Sequence, residues 1–166
     1  MLFLGRSPAV SIVAQSNLAI TYGDLGRLEE SLRMRGDTYS SWLRLEGEEH
    51  MYSLQTANSY AATLISLQRY GEAKLLLRKT IRAARRVLGD HDGLTLLMRW
   101  NYARALYNND GATLDDLHEA IATLGETATI TQRVFGAAHP ATTANEESLQ
   151  EARAALGARE TPSSEA

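Results

Sequence analysis

The side chains that could do chemistry are few. Four histidines occur, His50, His91, His118 and His139, and acids gather at Asp115, Asp116 and Glu119. A histidine beside carboxylates could act as a general acid or base, or hold a metal. Here the spacing argues otherwise. His50 and His139 occupy the same position of an internal repeat, which implies packing or capping, and the histidines fall one or more repeats apart. The acids sit at the start of a predicted helix, where capping and the helix dipole account for them. No P-loop, dinucleotide-binding glycine pattern, HExxH motif or nucleophile elbow is present. The expectation is a non-enzyme with no catalytic residue, metal or cofactor.

Charge is concentrated on one segment. Lys74, Arg78, Lys79, Arg82, Arg85 and Arg86 face a single acid, Glu72, within residues 70–88. Lys74, Arg78, Arg82 and Arg85 form one stripe at helical spacing. A phosphate or nucleic-acid surface would need such a stripe. Cations near a helix C-terminus are favoured by the dipole in any case, and no exposed aromatics interleave with them. A solvated helix face is the favoured reading, ahead of an acidic protein partner, with nucleic acid last. Trp42 and Trp100 read as packing residues, with Trp100 placed to border a binding surface beside Asn101.

The elements that position these groups follow from composition and period. The chain has 166 residues, 44% hydrophobic and 22% charged, with a net charge of -3. Its length suits a compact domain with a real core. The absence of cysteine excludes disulfides and cysteine-ligated metals, and fits a reducing, cytoplasmic location. The three prolines, Pro8, Pro140 and Pro162, leave residues 9–139 free of the strongest helix breaker. Arg6 and Pro8 interrupt the apolar start, so residues 1–8 read as an extension and not as a secretion signal. No apolar run is long enough to cross a bilayer. Residues 158–166 are small and polar and are expected to form a disordered tail.

Sliding the chain by 42 residues aligns Leu25–Ser31 with Leu67–Ala73, and Gly47–Ser53 with Gly89–Thr95. Asn17-Leu-Ala19 falls on Ser59-Tyr-Ala61 and then on Asn101-Tyr-Ala103. The third copy is longer, with two extra residues in the turn Asn108–Gly111 and three more in the helix that follows. Apolar residues within each copy recur at steps of three and four, so each copy is a helix pair. Turn chemistry marks the breaks at Gly26, Gly47, Arg69–Gly71, Gly89–Gly93, Asn108–Gly111 and Gly136–Pro140. Helices are predicted near 9–25, 27–46, 51–67, 70–88, 94–108, 113–135 and 140–157. Thr113-Leu-Asp-Asp116 has the form of a capping box.

The pattern resembles the tetratricopeptide repeat. Ala19, Ala61 and Ala103 match its small close-packing residue. Tyr22, Leu64 and Leu106 match the next column, and Ser31, Ala73 and Leu117 the column of the second helix. The period of 42, longer than the usual 34, and the turn Gly136-Ala-Ala-His-Pro-Ala-Thr142 resemble the kinesin-light-chain type of repeat. Met51 and Gly93 depart from that turn's proline, and Ser31 and Leu117 from the family's alanine. The resemblance implies an all-α fold, an α-solenoid of antiparallel helix hairpins with about seven helices in a right-handed superhelix. Repeats are expected at about 9–50, 51–93 and 94–139 within a solenoid over 9–157. Residues 140–157 form the closing helix, with a polar side of Asn145, Glu146, Glu147, Gln150, Glu151 and Arg153.

Such a stack has a concave surface lined by the first helix of each pair. Its repeat-equivalent positions are Asn17, Ser59 and Asn101, then Ile20, Ala62 and Arg104, then Asp24, Ser66 and Asn108. Asparagine both donates and accepts, which suits an extended peptide backbone. The resemblance points the same way, since the family's corresponding asparagines contact peptides. The alternative is that these residues only cap or solvate an exposed face. The expected function is a protein-interaction scaffold for a peptide or partner helix. Self-association, and a regulatory array belonging to a larger protein, are the other readings.

Overall fold

The computed structural model describes residues 8–160. They form seven helices: α1 (Pro8–Asp24), α2 (Leu28–Glu46), α3 (Met51–Ser66), α4 (Tyr70–Val87), α5 (Gly93–Tyr107), α6 (Leu114–Phe135) and α7 (Pro140–Glu160). Each helix packs on its neighbours in sequence, and α5 packs also on α3 and α7, so α3, α5 and α7 lie side by side. The chain is an α-solenoid of three hairpins and a closing helix. Six helices begin and end within one residue of expectation. α7 runs three residues further, to Glu160, so residues 158–160 of the expected tail are helical. The rest of that tail, and residues 1–7 of the N-terminal extension, lie outside the described residues.

Local chemistry explains where the helices start. His50, Asp92 and His139 hold the same place in successive turns, and each accepts a hydrogen bond from a backbone N–H of the helix it opens. His50 Nδ1 accepts from Tyr52 at 3.4 Å, Asp92 Oδ1 from Leu94 at 2.9 Å and His139 Nδ1 from Ala141 at 3.1 Å. Each satisfies a donor that the helix itself leaves unpaired. Thr142, the threonine of the Gly-x-x-His-Pro-x-Thr turn, donates its hydroxyl to the Gly136 carbonyl at 2.9 Å and pins the same corner. Thr113 and Asp116 form the reciprocal capping box, at 3.1 Å in each direction. The Asp116 carboxyl is held below the usual carboxylate range by Lys74 first, with Thr113 adding to it.

The turn between α3 and α4 differs from the sequence reading. The break was expected at Arg69–Gly71, yet Gly71 lies inside α4. The residue with positive φ is Gln68, at 58°, one repeat on from Gly26 at 73°. Glycine adopts that conformation freely, whereas glutamine must bear a steric cost there. The third hairpin is lengthened as its sequence suggests. α6 has 22 residues against 19 in α2 and 18 in α4. The long turn before it is fastened from α7: Arg159 donates to the carbonyls of Ala112 at 2.6 Å and Asp110 at 2.8 Å.

The close-packing alanines Ala19, Ala61 and Ala103 are fully buried. Ser31, which stands where the family has alanine, is also buried, and its hydroxyl donates to the Ala19 carbonyl at 2.7 Å. Leu117, the other departure, is buried as an apolar side chain and needs no partner. The core is one connected cluster running along the array from Leu32 in α2 to Ala152 in α7, continuous across the hairpin interfaces. α1 stands apart from it and buries only Ile12 and Ala19.

Candidate peptide groove

The first helices α1, α3 and α5 present a shared concave face. A trough of about 400 Å³ runs across it, with Asp24 from α1, Ser59, Ala62 and Ser66 from α3, and Arg104 from α5 along its walls. Its floor is made by Asn58 and Asn101. Asn101 is only 2% exposed and donates its Nδ2 to Asn58 Oδ1 at 3.0 Å. This asparagine joins α5 to α3. Its own Oδ1 is buried without a partner.

The other two asparagines named from the sequence lie elsewhere. Asn17 is exposed on α1 beyond the trough lining. Asn108 is the C-cap of α5, and its Nδ2 donates to the Arg104 carbonyl at 3.0 Å, a capping use. Asn145, expected on the polar outer side of α7, is buried, and its Nδ2 donates to the Ala141 carbonyl at 2.7 Å. The run of polar residues from Asn145 to Arg153 suggests a polar side of α7; the buried asparagine instead faces α5 and α6.

Two arginines set the electrostatics of the trough. Arg104 places its guanidinium 4.6 Å from the centroid of the Trp100 ring, a cation–π contact. The indole is fixed from α7: its Nε1 donates to Ser148 Oγ at 2.9 Å and to the Ala144 carbonyl at 3.3 Å. Trp100 thus both packs and borders the groove. Arg35 reaches the trough from α2, with its Nε donating to Ser31 Oγ at 3.1 Å. Burial pushes its pKa down from the ordinary arginine value, while Asp24 acts on it at a distance in the opposite sense. Neither guanidinium has an ion-pair partner among the described residues.

Arg35 belongs to a second helix, α2, and so lies outside the first-helix columns that the repeat marks for the groove. Its signal was present: Arg35 lies one turn after Ser31 on the α1-facing side of α2, opposite Gly23. A Cβ at Gly23 would come 3.3 Å from Ser31 Oγ and 3.7 Å from the Arg35 guanidinium. A small residue there leaves room for the long side chain to pass. Leu97 and Trp100 also open a recess of about 100 Å³ toward α7, closed by Phe135, Ala144 and Asn145.

Two of the four residues in the basic stripe on α4, Lys74 and Arg85, are paired with carboxylates, as are Lys79 and Arg86 beside it. Lys74 pairs with Asp116, Lys79 with Glu48 at 3.3 Å, Arg85 with Asp90, and Arg86 with Glu49 at 2.7 Å. Arg78 and Arg82 make no ion pair among the described residues. His91 and His118 are exposed and far apart in the array. No cluster of three or more histidines, aspartates or glutamates suited to a metal is found among the described residues. None of the described helices is long and apolar enough to cross a membrane.

Comparison with known proteins agrees with this geometry. Residues 11–86 match the tetratricopeptide repeat family model. No match is found among curated proteins. Among solved structures, the chain is similar to the kinesin light chain nearly identical TPR-like repeats of Podosopora anserina, at 21% identity and a TM-score of 0.79. That match covers 92% of this chain and 69% of the other. A point variant of the same protein matches at 22% identity and a TM-score of 0.77, over 95% and 72% of the two chains. BtubC (BKLC) from P. vanneervenii matches at 16% identity and a TM-score of 0.62, over 99% and 72%. At these identities the likeness to solved structures is one of fold. Residues 11–86 thus match the tetratricopeptide repeat, and the described residues form an α-solenoid with the fold of kinesin-light-chain TPR-like repeats.

Proposed function

We propose that the trough across α1, α3 and α5 holds an extended segment of a partner protein, and that the chain works as a non-catalytic scaffold. Tetratricopeptide repeats generally mediate protein–protein interaction, and this fold is typical of scaffolds without catalysis. The observation that carries the finer reading is the trough itself. It combines short polar side chains, Ser59 and Ser66, with two guanidiniums, Arg35 and Arg104, that form no ion pair with a carboxylate of the described residues, Asp24 acting on Arg35 only at a distance. Unpaired guanidiniums in a concave site favour a ligand that brings carboxylates. The recess beside Trp100 accepts one apolar side chain of the same ligand.

Size fixes the length of the segment. Helices pack at about 8–10 Å, so three first helices span about 16–20 Å. An extended strand rises about 3.3 Å per residue, which makes the bound stretch about five or six residues. A cytoplasmic location belongs to the same proposal, as the cysteine-free composition suits a reducing compartment.

The test is selection of random ten-residue peptides displayed on phage, against the wild-type chain and against Ala62→Arg, which fills the trough with a bulky side chain. The expected outcome is enrichment of peptides rich in Asp and Glu on the wild type and none on the variant. In a second arm, Arg104→Glu weakens the selected peptide about tenfold or more, equivalent to about 1.4 kcal/mol. Equal enrichment on both proteins, or peptides with no acidic bias, would refute the assignment.

A further inference from the structure

We infer that this chain pairs with a second copy of itself through the outer face of α1, forming a two-fold dimer at the N-terminal end of the solenoid. This surface is distinct from the trough. Val10, Ala14, Leu18, Thr21 and Leu25 recur at steps of three and four and so share one side of the chain's first helix and its end, opposite Ile12 and Ala19, which face α2. That side is open: Val10 is 58%, Leu18 46% and Leu25 67% exposed.

The internal repeat shows what such a face does elsewhere in the same molecule. One repeat on, it becomes Tyr52, Thr56, Tyr60, Thr63 and Leu67. There it packs on the second helix of the preceding hairpin: the Tyr52 ring lies 4.6 Å from Trp42, and the Tyr60 ring 6.4 Å from Tyr39. Two repeats on, it becomes Leu94, Met98, Tyr102 and Ala105, of which the last three are buried. Both faces pack on a neighbouring hairpin, although Tyr52 at the edge stays 48% exposed. α1 carries the same pattern, packs mainly on α2, and has no hairpin before it among the described residues.

The far end of the solenoid offers no matching surface. The outward positions of α7, equivalent to those by which α5 meets α6, are Thr143, Glu147, Gln150 and Ala154, all exposed. Stacking α1 on them would bury the Glu147 carboxylate without a partner, which is costly. Head-to-tail growth is therefore disfavoured. The surface that does match α1 is the same face in another copy. From Pro8 to Gly23 the helix carries no charged residue, so two copies meet without like-charge repulsion. A patch that is complementary to itself closes as a two-fold dimer. A helix of 17 residues is about 25 Å long, so the contact falls at the small end of specific interfaces.

The test is sedimentation equilibrium of the 166-residue chain from about 5 to 500 μM. The weight-average mass is expected to rise from 18.2 kDa toward twice that value and stop there. The double variant Leu18→Glu, Leu25→Glu remains monomeric across the range with the helical circular dichroism of the wild type, since both side chains are exposed. Should that variant lose helicity, Leu18→Gln, Leu25→Gln removes the apolar stripe without adding charge and is expected to be monomeric too. Glu147→Lys on α7 leaves the dimer intact. The inference is overturned if the wild type stays at 18.2 kDa throughout, if the mass grows past two copies, if a folded α1 variant still dimerises, or if Glu147→Lys abolishes pairing.

Discussion

Replacing Asn101 with alanine separates a structural asparagine from a ligand-contacting one. Its Nδ2 donates to Asn58 Oδ1 at 3.0 Å, with the two residues 2% and 7% exposed. Losing one such bond costs about 0.5–1.5 kcal/mol, and leaving a buried acceptor unpaired adds about 1–3 kcal/mol. Against this, Asn101 Oδ1 already lacks a donor, so removing it relieves an existing penalty of similar kind. The expected net loss is about 1–2 kcal/mol for Asn101→Ala. Asn58→Ala should cost a similar amount, and the double variant little more than either single one. The double-mutant cycle should return a coupling of about 1 kcal/mol. Urea denaturation, followed by circular dichroism and by the fluorescence of Trp42 and Trp100, is the assay, with coincident transitions required for a two-state analysis. For a chain of this size the loss corresponds to about 2–8 °C in Tm. A loss below about 0.3 kcal/mol for Asn101→Ala, or additive single losses, would refute the claim that this pair clasps α3 to α5.

Other consequences are as direct. Gln68→Gly should stabilise the chain by about 0.5–1 kcal/mol, because Gln68 holds a φ of 58° that glycine adopts without strain; an unchanged urea midpoint would contradict this. The Tyr102 hydroxyl donates to Glu119 Oε1 at 2.8 Å, and burial first, then that carboxylate, push its pKa up to about 12. The folded state thus binds this proton more tightly than the unfolded chain. Its contribution is complete below the ordinary tyrosine value of about 10 and disappears as the pH rises through about 12. Tyr102→Phe should flatten the loss of stability across that window, read as urea midpoints at a series of alkaline pH values. Arg159→Ala releases the carbonyls of Asp110 and Ala112, and amide hydrogen exchange in residues 108–113 should quicken several-fold while α3 and α4 are unaffected. Uniform exchange rates in wild type and variant would show that the arginine does not hold the turn.

The array itself was legible because each hairpin repeats one solution to the same packing problem. Alanine at 19, 61 and 103 and the glycines of the inter-repeat turns follow from close approach and positive φ, and both leave a mark at fixed spacing. The capping histidines were readable for the same reason, and Asp92 fills the middle copy of that position with different chemistry. Gln68 carries no turn signal in the sequence, because glutamine seldom adopts a positive φ and Gly71 nearby offers the stronger turn chemistry. The trough was partly legible. Asp24, Ser59, Ser66, Asn101 and Arg104 line it, whereas Asn17 and Asn108 do not. A repeat column names the helix face but not how neighbouring helices slide past one another, and that slide turns Asn101 toward Asn58. Arg35 comes from a second helix and depends on the space left by Gly23, a relation between two positions that no single column reveals. Arg159 lies in a segment whose composition reads as a tail, and it becomes ordered through backbone carbonyls nearly fifty residues away.

Mapping a selected acidic peptide onto the 166-residue chain by backbone amide chemical-shift changes tests the central claim most directly. The account predicts shifts concentrated at Asp24, Ser59, Ala62, Ser66 and Arg104, on the concave side of α1, α3 and α5. Shifts concentrated instead at Arg78 and Arg82 on α4, with those trough amides unmoved, would contradict it.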